Sequence, residues 1–103
     1  MEYLVWDRIG VPEQDEPAQV YCELDENRME QRRVECYPSG LMFSYGAEQG
    51  MSHLLAQEPF PTDLNSLEFS GPGTARPISV ALFSEMWVQS QSQPMGFVGM
   101  EMF

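Results

Sequence analysis

Nucleophilic or acid–base chemistry in this chain would have to come from two cysteines, Cys22 and Cys36, one histidine, His53, and sixteen carboxylates. Spacing argues against each route. Positions 22, 36 and 53 match no common zinc pattern, and His53 reads as a loop residue. A thiol oxidoreductase would carry Cys-x-x-Cys, which is missing. A serine hydrolase built on Gly-x-Ser-x-Gly is also excluded, and His53 would be its one histidine base. Gly71-Pro72-Gly73 has neither the lysine nor the helix context of a phosphate-binding loop. Glycoside hydrolysis asks only for two carboxylates. Glu23 with Glu35 can be drawn as such a pair, but among sixteen carboxylates one pair carries no information. The chain is expected not to be an enzyme, with no catalytic residue, no metal and no cofactor.

The charge is more informative. Sixteen acids face five basic residues, all arginine (Arg8, Arg28, Arg32, Arg33 and Arg76), for a formal net charge of -11. Residues 1–36 carry -6 and residues 37–103 carry -5, so the negative field is not confined to a tail. Such a field repels nucleic-acid backbones and anionic membrane surfaces, and it steers basic proteins inward, raising association rates by about 10–10³-fold. It also keeps a protein in solution. The densest acids, Glu13, Asp15 and Glu16, lie between Pro12 and Pro17 in a loop, where binding residues are often carried. These three, with Glu23, Asp25 and Glu26, are the expected partner-binding residues. Arg28, Arg32 and Arg33 are expected to pair with Glu23, Glu30 and Glu35 across neighbouring strands rather than to form a basic surface.

The elements that must position these groups follow from pattern. Residues 3–6 are aromatic and β-branched, a first strand. Residues 10–17 form the acidic loop. Residues 18–25 alternate, with Val20, Cys22 and Leu24 on one face. Residues 30–37 form the next strand, with Glu30, Arg32, Val34 and Cys36 on one side and Gln31, Arg33, Glu35 and Tyr37 on the other. Whether Cys22 and Cys36 can bridge depends on register. Tyr37-Pro38-Ser39-Gly40 is a turn whose glycine closes a bulged hairpin. It leads to a strand over residues 41–45, with Leu41, Phe43 and Tyr45 on one face. Residues 46–61 read as loop anchored by Leu54 and Leu55, and residues 62–69 hold a helical turn capped by Thr62 or Asp63. Residues 70–74 are a break. Ser79 then caps a helix over residues 79–87, whose Leu82, Phe83, Met86 and Trp87 make one apolar stripe. Burial of that stripe predicts severe destabilisation by Trp87→Ala. The fold class is α+β: an antiparallel sheet of about four strands in a meander, with a C-terminal helix packed on one face. Residues 1–88 form the single domain, and residues 89–103 a polar linker with a Met- and Phe-rich tail.

Several spaced residues resemble a family. Pro17-x3-Tyr21-x-Glu23-x-Asp25, Arg28-x-Glu30-x-Arg32-x-Val34-Glu35, Gly40, Leu55, Glu58-Pro59-x-Pro61, Phe69 and Ile78-Ser79-x3-Phe83-x3-Trp87 follow the pattern of an uncharacterised family of small acidic bacterial domains. That family in turn resembles the immunity proteins of polymorphic toxin systems. Residues 80–82 are less acidic than its pattern, and the chain beyond Trp87 is an addition to it. The resemblance implies a cytoplasmic immunity protein that binds and neutralises a cognate toxin, with a basic one such as a nuclease favoured by the charge. The alternative is a non-catalytic adaptor or regulatory protein-binding module. Neither a nucleic acid nor a membrane is expected as partner: the field repels both, and no run is apolar enough to span a bilayer. Met1-Glu2-Tyr3 does not open a signal peptide.

Overall fold

The structure is a computed structural model and describes residues 1–92. Of the linker and tail expected over residues 89–103, residues 89–92 are helical and residues 93–103 lie outside the described residues. Five antiparallel strands form one sheet: β1 (Glu2–Arg8), β2 (Gln19–Leu24), β3 (Glu30–Cys36), β4 (Met42–Gly46) and β5 (Gly73–Pro77), in the order β4-β3-β2-β1-β5. A single helix, α1 (Val80–Ser92), follows. The class is α+β, as the pattern implies, with one strand more than the expected four.

β1 to β4 are the meander. The extra strand is β5, which pairs with β1 from Leu4↔Pro77 to Arg8↔Gly73. Its sequence, Gly-Thr-Ala-Arg-Pro, has no apolar alternation, because it packs little of its own surface. What it supplies is room: a Cβ on Gly73 would sit 2.2 Å from the Trp6 indole, so only glycine lets the strand close over that ring. The hairpin between β3 and β4 closes at Gly40, whose φ of +94° is the left-handed conformation anticipated for it.

Both faces of the sheet are covered, which makes three layers. On one face, Val5, Tyr21, Val34 and Met42 pack against Phe83, with Leu82, Met86 and Trp87 beside it. Ser79 starts this helix as a cap, its Oγ accepting from the Leu82 amide at 3.1 Å. Phe83 is fully buried while Trp87 is half-buried, so the centre of the stripe is Phe83. The helix continues past residue 88 to Ser92, and Ser90 is buried with its hydroxyl on the Trp87 carbonyl.

On the other face, Leu4, Trp6, Val20, Cys22 and Leu24 lie beneath the long connection at residues 47–72. That connection holds three single-turn 3-10 segments, Ala47–Gln49, Ser52–Leu54 and Leu64–Ser66. Asp63 caps the last, accepting from the Asn65 amide at 3.1 Å. Its apolar contribution is Ala56, Phe60, Leu64, Leu67 and Phe69, and the Trp6 Nε1 donates to the Leu67 carbonyl at 3.0 Å. A stretch with only single 3-10 turns thus covers this face as a second helix would.

Two arginines, one at each end of the sheet, hold it down. Arg8 donates to the carbonyls of Pro17, Phe69 and Ser70 at 2.8, 2.7 and 3.0 Å. Arg28 donates to those of Phe60 and Pro61 at 3.1 and 2.6 Å, and to both oxygens of Glu2. Arg28 itself adopts φ +62° in the β2–β3 turn, a conformation that costs a non-glycine residue about 1 kcal/mol or more. Those anchoring bonds and Asp25, whose Oδ1 accepts the Asn27 and Met29 amides, hold it there.

Candidate functional site

The arginines of β3 build two polar clusters, one on each face. Arg32 faces α1. Its Nε and Nη2 each donate to Glu23 at 2.8 Å, and the Tyr3 hydroxyl donates to the same carboxylate at 3.0 Å. The guanidinium carbon lies 4.9 Å from the Phe83 ring centre and 4.8 Å from that of Trp87. Arg32 therefore bridges an ion pair and a cation–π contact. The hydrogen bonds from Arg32, opposed by partial burial and aided by Tyr3, hold the Glu23 carboxyl below the usual carboxylate range. A cavity of about 360 Å³ opens beside this pair, lined by Met1, Glu23, Gln31, Arg32, Glu48 and Gln49.

Arg33 faces the long connection. Its Nε and Nη2 donate to Glu30 at 2.8 and 2.6 Å, and Nη1 donates to Glu35 at 3.1 Å. Glu35 also accepts from the hydroxyls of Tyr37 and Tyr45 at 2.8 and 3.3 Å. The Ala56 amide donates to Glu30 at 2.9 Å, and Phe69 stacks on the guanidinium at 4.9 Å. The Glu30 side chain is wholly buried. Burial works against the charge on Arg33, but Glu30 and then Glu35 outweigh it and raise its affinity for the proton.

The pairing of Arg32 and Arg33 with Glu23, Glu30 and Glu35 is as the sequence suggests. Two details differ. Arg28 pairs with Glu2, not with a β3 acid. Glu30 does not share a face with Arg32. Glu23 stands opposite Arg32 but Leu24 stands opposite Glu30, so Gln31 is an extra residue in β3. This bulge turns Glu30 to the side of Arg33 and Glu35.

The same registers dispose of the carboxylate pair considered for hydrolysis. Glu23 lies across from Tyr3 on the helix face, and Glu35 lies across from Val20 on the other. Each is already bound to an arginine. Cys22 and Cys36 also project from opposite faces, and both are free thiols. Burial, and then nearby Glu30, pushes the Cys22 thiol far up, while burial and Glu35 push Cys36 up to about 11. Neither is an activated nucleophile. Among the described residues no group of three or more His, Cys, Asp or Glu side chains could hold a metal ion, and His53 is exposed in a 3-10 turn.

The six expected partner-binding residues do not share one face. Glu13, Asp15 and Glu16 lie in the β1–β2 loop, with the Glu13 amide held by Glu16 Oε1 at 2.9 Å. Asp25 and Glu26 lie in the β2–β3 turn at the other end of β2, about 20 Å away for a strand of this length. Glu23 is buried and occupied by Arg32. What residue type alone leaves out is apolar: Ile9 and Val11, beside the acidic loop, are 59% and 94% exposed. Their apolar character, just before Pro12 and the acids that follow it, was the available signal.

A family model described as a domain of unknown function, DUF6881, matches residues 11–92. The chain belongs to that family. The match takes in β2 to β5 and α1, and leaves β1 outside although it pairs with both β2 and β5. No curated protein and no solved structure matches the chain. No helix among the described residues is long and apolar enough to cross a membrane.

Proposed function

We propose that this domain acts by binding a basic protein, and specifically that it is an immunity protein that neutralises a cognate bacterial toxin in the cytoplasm, a nuclease being the best-fitting class. What supports the reading is how the arginines are used. Arg8 and Arg28 tie down the long connection, Arg32 and Arg33 sit in the two clusters, and Arg76 pairs with Asp7 at 2.7 Å. The six ion pairs among the described residues engage Glu2, Asp7, Glu16, Glu23, Glu30 and Glu35. Glu13, Asp15, Glu26, Glu58, Glu68 and Glu85 are exposed and take part in none of these ion pairs. The cations serve the fold, and the outward charge is left almost wholly negative. A partner of opposite potential gains in encounter rate and specificity from such a surface.

Finding a toxin-like reading frame beside the gene, and mixing its product with the purified domain, tests this. A one-to-one complex is expected, with an association rate that falls as salt is raised. Failure to bind at low salt would end the toxin reading. Recovery of several unrelated basic proteins, with no toxin among them, would favour an adaptor.

A further inference from the structure

Three connections emerge at one end of the sheet. The β1–β2 loop leaves Arg8 and returns at Ala18, whose carbonyl accepts the Arg8 amide and whose own amide donates to Cys36. The β3–β4 turn at 37–41 begins directly after Cys36, and the Tyr37 amide donates to the Leu41 carbonyl at 2.9 Å. The entry to β5 lies on the far side, where the Ile9 amide donates to the Pro72 carbonyl at 3.1 Å and Glu68 bridges to Pro72. Strand spacing puts the ends of β1 and β3 roughly 10 Å apart.

This end exposes apolar side chains that the fold does not use. Val11 is 94% exposed, Ile9 59% and Leu41 46%, and none of them belongs to either core. The exposed acids around them are Glu13, Asp15 and Glu68. Glu16 stands 3.9 Å from Arg8. Arg8 is rooted at this end, and its side chain is 6% exposed, with its donors spent on three carbonyls. The exposed cation of β5, Arg76, is paired with Asp7 at 2.7 Å, which leaves Glu13 and Asp15 without an ion pair. At the opposite end, Glu2 is neutralised by Arg28 and Asp25 is engaged in its own turn.

We infer that the sheet end formed by Ile9, Val11 and Leu41, with Glu13, Asp15 and Glu16 at its rim, is the docking surface for a basic protein segment that carries aliphatic or aromatic residues among its arginines and lysines. The inference rests on the proposed binding of a basic protein and names the face that does it. Charge complementarity fixes the occupant. A second copy of this chain would bring like charge against like, and a purely polycationic segment would leave Val11 in water. A segment with both features covers the apolar centre and meets the acidic rim, the usual anatomy of a protein interface.

The test uses the whole chain and a defined probe. Isotope-labelled protein is titrated at low salt with a synthetic amphipathic peptide of leucine and arginine, and with a serine–arginine peptide of equal charge. The leucine peptide should saturate, bind about tenfold or more tighter than the serine peptide, and perturb the amides of Ile9 to Glu16 and Leu41 most. Val11→Ser should remove most of that preference, while Glu26→Gln should leave it intact. Val11 is exposed, so the variant should fold, which its amide spectrum will verify. Equal affinity for the two peptides, perturbations centred on Asp25 to Asn27, or an unchanged preference in Val11→Ser would overturn the assignment of this face. If neither peptide binds saturably, the basic-partner reading itself fails.

Discussion

Arg32 and Arg33 are adjacent in sequence, each bidentate to a glutamate, yet they sit in different solvents. Arg33 lies between two carboxylates under the long connection, with its side chain 14% exposed and that of Glu30 at 0%. Arg32 lies against the edge of α1, 28% exposed, beside an open cavity. The strand pleat sends neighbours to opposite faces, so one dipeptide supplies both layers of the sheet with a cation. Burial decides what each is worth. In the covered cluster Glu30 has no water to fall back on, so removal of Arg33 leaves its charge buried and unpaired. At the cavity, water can take the place of a lost partner.

That contrast gives the largest expected effect. Arg33→Met should leave the wholly buried Glu30 without its cation and lower stability by about 3–5 kcal/mol, although Glu35 keeps the Tyr37 and Tyr45 hydroxyls. Because Glu30 also accepts the Ala56 amide, the long connection should loosen with it. Chemical denaturation of Arg33→Met and of Arg33→Met/Glu30→Gln checks both points. The double variant should recover part of the loss, since a neutral amide is less costly to bury than a carboxylate. Arg32→Met should cost less, about 1–3 kcal/mol, because Glu23 keeps the Tyr3 hydroxyl and gains water. Equal losses at the two positions would mean that the cavity does not hydrate Glu23, and the comparison would collapse.

The two clusters were unequally legible in the sequence. Alternation over residues 18–25 and 30–37 put acids and arginines on facing strands, and opposite charges at such positions suggest pairing. The bulge at Gln31 has no comparable mark, so Glu30 was placed on the wrong face. β5 was hidden because its stability comes from Trp6 and β1 rather than from its own side chains. The helix was plain, because its cap and stripe are local. The weight put on Trp87 moved to Phe83, since a stripe fixes which side is buried but not its centre. The expected partner set failed to gather for a similar reason: counting acids finds Glu13 and Asp25 alike, and only the register shows that β2 separates them. Of the cover over the second face, only the turn capped by Asp63 and the anchor at Leu55 could be read. The rest depends on Arg8 and Arg28 reaching backbone carbonyls 32 to 62 residues away, and a carbonyl leaves no sequence signature.

The helix-face cluster should also be visible in the pH dependence of stability. Glu23 has a folded pKa below its unfolded value of 4.5. Such a group stabilises the fold fully above the unfolded value and loses that contribution as pH falls through the folded one. Urea midpoints measured from pH 6 downward should therefore decline more steeply in the parent than in Arg32→Met, where the main cause of the depression is gone. Parallel profiles would indicate that Glu23 is held by its surroundings and not by Arg32.

The cysteines give the smallest effect and the cleanest separation of the faces. Cys22 shares the sealed face with Glu30 and is fully buried; Cys36 lies partly exposed on the helix face. With its thiol pushed up to about 11, Cys36 is only about one part in a thousand thiolate at pH 8. A disulfide reagent should label it slowly in the native protein, and faster as pH rises. Cys22 should react only as fast as the domain opens, so its labelling should quicken in Arg33→Met and far less in Arg32→Met. The order matters more than the rates. If Cys22 reacted first, the long connection would have to lift from the sheet more readily than α1, and the sealed face would be the weaker of the two layers.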